Sequence, residues 1–131
     1  MKGAYVVSAD DGLVGRVVHA VTGTPGWAGC DRAWSDTDHV MLRDSVTGGQ
    51  FLLYVSPGSF KEDGVPVYPR PGVSLPADRR LTSYLVECRW EEQFVRTVRA
   101  LAALTGEGVW VIDGDGVVWD AAAVDAAAVR L

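Results

Sequence analysis

Five of the six prolines in this chain stand between positions 57 and 76 (Pro57, Pro66, Pro69, Pro71 and Pro76), with Gly58, Gly64 and Gly72 among them. Proline lacks a backbone N–H and restricts the residue before it, so neither a helix nor a central strand runs through such a stretch. Residues 57–81 therefore read as a connector holding an edge strand at most. The regular elements are left to residues 1–56 and 82–120. A chain of 131 residues suits one domain, 1–131, because single cores of roughly 100–150 residues are the commonest size.

The two flanks share one grammar. In the first, residues 4–8 are rich in β-formers and predict a strand. Asp10 or Asp11 then caps a helix, on which Leu13, Val14, Val17, Val18 and Val21 form an apolar stripe that ends near Gly23. Strands His39–Arg43 and Gln50–Ser56 follow, joined through Thr47-Gly48-Gly49. In the second flank, a strand over 82–88 precedes a helix from Trp90 to Leu104 with Phe94, Val98, Leu101 and Ala102 on one face. Glu91 and Glu92 sit at the positive end of that helix. A hairpin, Val109–Ile112 and Val117–Trp119, turns through Asp113-Gly114-Asp115-Gly116, and Asp120 caps a short terminal helix. Val14, Val18 and Val21 align with Phe94, Val98 and Leu101 at one offset, and Tyr5 nearly aligns with Tyr84. The expected fold is α+β: a mixed, mostly antiparallel sheet of about six strands with two main helices on one face, forming two βαββ units if the alignment is a duplication rather than the coincidence of two amphipathic helices.

The halves differ between helix and hairpin. Little more than Gly106, Glu107 and Gly108 intervenes in the second, but residues 23–38 do so in the first. Structureless loops longer than about 12–15 residues are uncommon in compact domains and often functional. This one carries Trp27 and Trp34 among Asp31, Asp36 and Asp38, the aromatic-and-charged make-up of a binding hot spot. The plainer alternative is a lid folded back on the sheet. Of the other tryptophans, Trp90 is expected to pack at a helix start. Strand alternation pairs Trp110 with Ile112 on one face and leaves Val109 with Val111 on the other, so one tryptophan of the last hairpin is core and one partly exposed.

Seventeen acidic against twelve basic side chains give a net charge of −5, which disfavours a phosphate backbone and favours basic partners. Arg79-Arg80 is the one local basic pair. Ten arginines against two lysines, with no asparagine and a single isoleucine, match a GC-rich genome, so arginine usage says little about function. Cys30 and Cys88, two lone thiols without a CxxC, suit a reducing cytoplasm. No secretory signal is legible at the N-terminus, and no run approaches the ~20 apolar residues a membrane span needs.

Catalytic motifs are sparse. Val111-Ile112-Asp113-Gly114-Asp115-Gly116-Val117 is similar to the first motif of haloacid-dehalogenase-type phosphohydrolases, which implies Asp113 as nucleophile and Asp115 as acid/base with magnesium. That family follows the motif with a large α/β domain, whereas 16 residues follow Asp115 here. A hairpin turn built on two Asp-Gly pairs explains the same residues. An EF-hand is incomplete, since Val124 stands where its glutamate belongs. Asp36, Asp38 and His39 with His19, or either cysteine with a histidine, have no spacing that requires proximity. Arg96 and Arg99 lie off the apolar stripe and read as solvated. No cofactor or metal is expected.

Tyr84-Leu-Val-Glu-Cys-Arg-Trp90, Phe94-Val-Arg-x-Val-Arg-Ala-Leu101 and Trp110-Val-Ile-Asp-Gly-Asp-Gly-Val-Val-Trp119-Asp120 together resemble small actinobacterial immunity proteins of polymorphic or contact-dependent toxin systems. The resemblance spans residues 84–120 and implies a non-catalytic inhibitor, monomeric or weakly dimeric, that occludes a bacterial toxin with a basic surface. Trp27, Asp31, Trp34, Asp36 and Asp38 are the candidate contact residues. A second acidic surface is Glu107, Asp113, Asp115, Asp120 and Asp125, opposed by Arg130. The rivals are a metal-dependent hydrolase centred on Asp113 and Asp115, and an oligomerisation module using the sheet's edge or face.

Overall fold

The structure, a computed structural model, describes residues 3–36, 38–55, 58–59 and 66–131; the expectations for Ser56, Pro57 and Gly64 lie outside them. In chain order the elements are β1 (Gly3–Ser8), α1 (Leu13–Gly23), a 3-10 turn (Trp27–Gly29), β2 (Arg32–Ser35), β3 (His39–Arg43), β4 (Gln50–Tyr54), β5 (Gly58–Ser59), β6 (Tyr68–Pro69), β7 (Thr82–Cys88), α2 (Glu91–Ala102), β8 (Val109–Ile112), β9 (Val117–Asp120) and a last 3-10 turn (Ala121–Ala123). The fold is α+β, with two helices and one mixed sheet.

Eight strands run in the order β2-β3-β4-β7-β1-β8-β9-β6, and the two-residue β5 pairs with β7 beside them. The expectation of about six strands is thus too low. The additional strands come from the segment read as a loop (β2) and from the proline-rich connector (β5 and β6). Among the described residues the β6–β9 pair is parallel and every other pair antiparallel. The hairpins dock crosswise: β4 of the first half pairs with β7 of the second, and β8 of the second pairs with β1 of the first. The centre of the sheet is β7 beside β1, so each half supplies the other's neighbour.

Both helices bury their apolar stripes against one face of the sheet. Leu13 and Val17 of α1 and Phe94, Val98 and Leu101 of α2 meet Ala4, Val6, Val40, Leu42, Phe51, Leu53, Tyr84, Val86 and Val111 in a continuous core. The Phe51 and Phe94 rings stand 6.1 Å apart, and burying each contributes roughly 2–3 kcal/mol. Tyr5 pairs with Leu85 and Val6 with Tyr84. A one-residue offset reverses the face in a pleated strand, which is why Tyr84 is buried and Tyr5 exposed.

The connector is more than a tether. Val67, Val73 and Leu75 pack on the opposite face of the sheet against Val7, Leu81, Ile112, Val118 and Trp110, forming a second, smaller core. Trp119 lies in the main core and Trp110 is half-buried in the second, as strand alternation requires. Trp90, expected to pack, instead stands 46% exposed at the N-cap of α2, because the cap residue precedes the buried stripe.

Helix α1 starts one or two residues later than its aspartates suggest. Gly12 is the N-cap, and Asp10 accepts the Gly12 N–H at 2.9 Å while pairing with the Arg16 Nε at 2.6 Å. Burial pushes the Asp10 carboxyl up, but the Arg16 and Gly12 donors outweigh it and hold it below its ordinary value. The two α2 arginines are not merely solvated. Arg96 donates to the Ala28 carbonyl at 2.8 Å and to Asp44 at 3.2 Å, and Arg99 donates to the Val124 carbonyl at 2.9 Å. Arg96 thereby ties the 3-10 turn and the β3–β4 hairpin to α2. Replacing it by alanine is expected to lower folding stability by about 1–2 kcal/mol, since two hydrogen bonds are lost. Thermal unfolding checks this, and an unchanged midpoint contradicts it.

Candidate protein-binding surface

Strand β2 is the outermost strand at one end of the sheet, and all four of its residues are exposed. The other end is closed differently, by the two-residue β6 containing Pro69, a short proline-bearing edge that resists further pairing. Among the described residues no strand covers the β2 end.

The five candidate residues divide around this strand. Trp34 lies mid-strand, 43% exposed, opposite Met41 of β3 and therefore on the face away from the helices. Asp36 follows the strand. One of its carboxylate oxygens accepts the Asp38 N–H at 2.8 Å and the His39 N–H at 3.0 Å, shaping the turn into β3. Asp38 is exposed beside it. Trp34, Asp36 and Asp38 thus share one corner of the molecule.

Asp31 lies at the opposite end of β2, where its carboxylate accepts the Ser45 N–H at 3.0 Å and the Ser45 hydroxyl. It clamps β2 to the β3–β4 turn. Trp27 turns the other way, half-buried against the main core. The reason is backbone geometry: Gly26 and Gly29 (both φ 73°) and Ala28 (φ 55°) adopt left-handed conformations that curl the chain back over α2. A Cβ on Gly29 would come within 2.6 Å of the Arg96 side chain, so glycine is required there.

Two further residues adjoin Trp34 and Asp36. Arg32 is exposed on the same strand face as Trp34, two residues away. His39 has its ring centroid 5.9 Å from that of Tyr54 and its Nδ1 3.5 Å from Asp36. Neither carries a signal in the sequence: Arg32 lies in a segment without alternation, and His39 has no metal-ligand or nucleophile spacing to a partner. His19 lines an open groove of about 560 Å³ on α1 with Arg16, Thr24 and Trp27, in the helix layer, whereas His39 is on the sheet. Among the described residues no three His, Cys, Asp or Glu side chains converge as a metal site.

The Asp38 and His39 N–H groups hold the Asp36 carboxyl below its ordinary value. A carboxyl lowered on folding stabilises the native turn above its unfolded pKa, and that contribution is lost as pH falls through the folded pKa. The Asp38 and His39 amide resonances are therefore expected to titrate with a midpoint below the ordinary carboxylate value of about 4. A midpoint at or above that value contradicts the turn geometry.

Asp113 and the two cysteines are buried within the fold. Both Asp113 oxygens are engaged: one accepts the Asp115 N–H at 2.9 Å and the Val117 N–H at 3.0 Å, the other the Trp119 Nε1–H at 3.0 Å and the Arg130 N–H at 3.3 Å. The side chain is buried. Cys30 and Cys88 are buried too, and burial pushes the Cys88 thiol up to about 11. No helix among the described residues is long and apolar enough to cross a membrane. Comparison with protein-family models, curated proteins and solved structures gives no match.

Proposed function

We propose that this protein is a non-catalytic inhibitor that binds another protein, an immunity-type partner of a bacterial toxin whose active surface is basic. The observation that carries this reading is Trp34: an exposed indole on an edge strand, with Asp36 and Asp38 at the adjoining turn. Aromatic anchors flanked by charge supply much of the energy of protein interfaces. An acidic rim adds fast, steered association with a basic partner. Asp113 supports the same reading, because a carboxylate that accepts four N–H groups has little left with which to attack a substrate. Asp31 and Trp27 serve the site by fixing the ends of its supporting segment.

Affinity capture from the bacterium that encodes the chain, read by mass spectrometry, tests the proposal. One basic protein recovered in stoichiometric amount is the expected result; recovery of no specific protein counts against it. With that partner in hand, the association rate is expected to fall steadily as salt is added, because exposed charges are screened. A rate indifferent to salt removes charge steering from the account.

A further inference from the structure

From the β2 edge we infer that two copies of this chain pair antiparallel through it, joining their sheets across a two-fold axis at Trp34. The inference goes beyond the partner reading and does not depend on it; both use Trp34 and Asp36, so the dimer and the partner complex compete for this edge. Its first support is the backbone. Asp36 donates its N–H to the His39 carbonyl at 3.1 Å, so Asp36 and Trp34 turn their backbone groups inward to β3. By the alternation of antiparallel ladders, Ala33 and Ser35 turn theirs outward. Among the described residues no strand pairs with that side of β2.

A two-fold axis at Trp34 sets Ala33 of one copy against Ser35 of the other, twice. The outward N–H and C=O groups are then matched, and Trp34 meets its own counterpart in the position without hydrogen bonds, where cross-strand side chains approach most closely.

The second support is charge. Arg32 lies two residues before Trp34 on its face, and Asp36 lies just past the strand opposite His39, one carboxylate oxygen accepting the Asp38 and His39 N–H groups. In this register each Arg32 faces the Asp36 of the other copy, so the strand is complementary to itself, and both residues are exposed. Shifting the axis to Ala33 or Ser35 breaks both charge pairs. The occupant of the edge is therefore a second copy in one register. A four-residue strand buries far less than the roughly 1,600 Å² of a typical stable interface, so the dimer is a concentration-dependent one.

Sedimentation equilibrium from low-micromolar to near-millimolar protein tests this directly. The wild-type chain is expected to show a monomer–dimer equilibrium. Arg32→Asp and Asp36→Arg should each weaken it by about tenfold or more, since each sets like charges opposite one another twice. An equimolar mixture of the two variants should dimerise again, because each variant now carries the charges the other lacks. Recovery in the mixture also shows that both variants are folded. A wild-type chain that stays monomeric, a dimer that neither variant weakens, or a mixture that fails to recover overturns the inference.

Discussion

Replacing Asp113 by alanine is expected to lower folding stability by about 3–4 kcal/mol, a large fraction of what a marginally stable domain holds. The carboxylate is buried and accepts four N–H groups. Two of those donors build the β8–β9 turn, one is the indole of the buried Trp119, and one belongs to the C-terminal segment at Arg130. Hydrogen bonds to a charged group are worth more than neutral ones, and removing the acceptor leaves buried donors unsatisfied. For a domain of this size the melting temperature should drop by roughly 10–20 °C. The result separates two views of the Asp-Gly-Asp-Gly turn. A structural carboxylate gives a large loss of stability, whereas a catalytic one, held in readiness for a substrate, would be removed with little loss or a gain. An Asp113→Ala variant that melts with the wild type would contradict the structural role.

Trp34→Ala has the opposite signature. Mid-strand on an exposed edge, the indole contributes little to the core, so the melting temperature is expected to stay within a few degrees of wild type. Affinity for the protein partner should fall by about 2 kcal/mol, some thirtyfold, as for an aromatic anchor. Calorimetric titration with the captured partner, next to a thermal melt, reads both quantities. If the variant unfolds, Trp34 belongs to the core; if affinity is unchanged, the partner docks elsewhere, with the terminal acidic surface of Glu107, Asp115, Asp120 and Asp125 as the next place to look.

What the amino-acid order disclosed follows a physical line. The proline cluster foretold that no helix and only two-residue strands occur among the described residues of 57–81, because a missing N–H is a local property. Helices α1 and α2 and strands β3 and β7 were legible because each buries one face and so imprints a period, and β8 and β9 because apolar β-formers flank an Asp-Gly turn. Strand β2 was not: Arg-Ala-Trp-Ser is exposed at every position, so no alternation marks it, and only its pairing with β3 makes it a strand. The rear core was hidden for a related reason. Val67, Val73 and Leu75 bury themselves from irregular backbone, which has no period to detect. At the candidate surface, Trp27 and Trp34 looked alike in a glycine-rich segment. The left-handed backbone at Gly26, Ala28 and Gly29 turns one against the core, and the β3 register leaves the other outside.

The central claim is that this protein acts by covering another protein's working surface. It is tested most directly by titrating the captured partner's own activity, whatever its substrate, with purified wild-type chain. Activity that falls linearly to nothing at a fixed stoichiometry, and persists when Trp34→Ala is added in equal amount, is the predicted result. Partner activity untouched by saturating wild-type protein would contradict it.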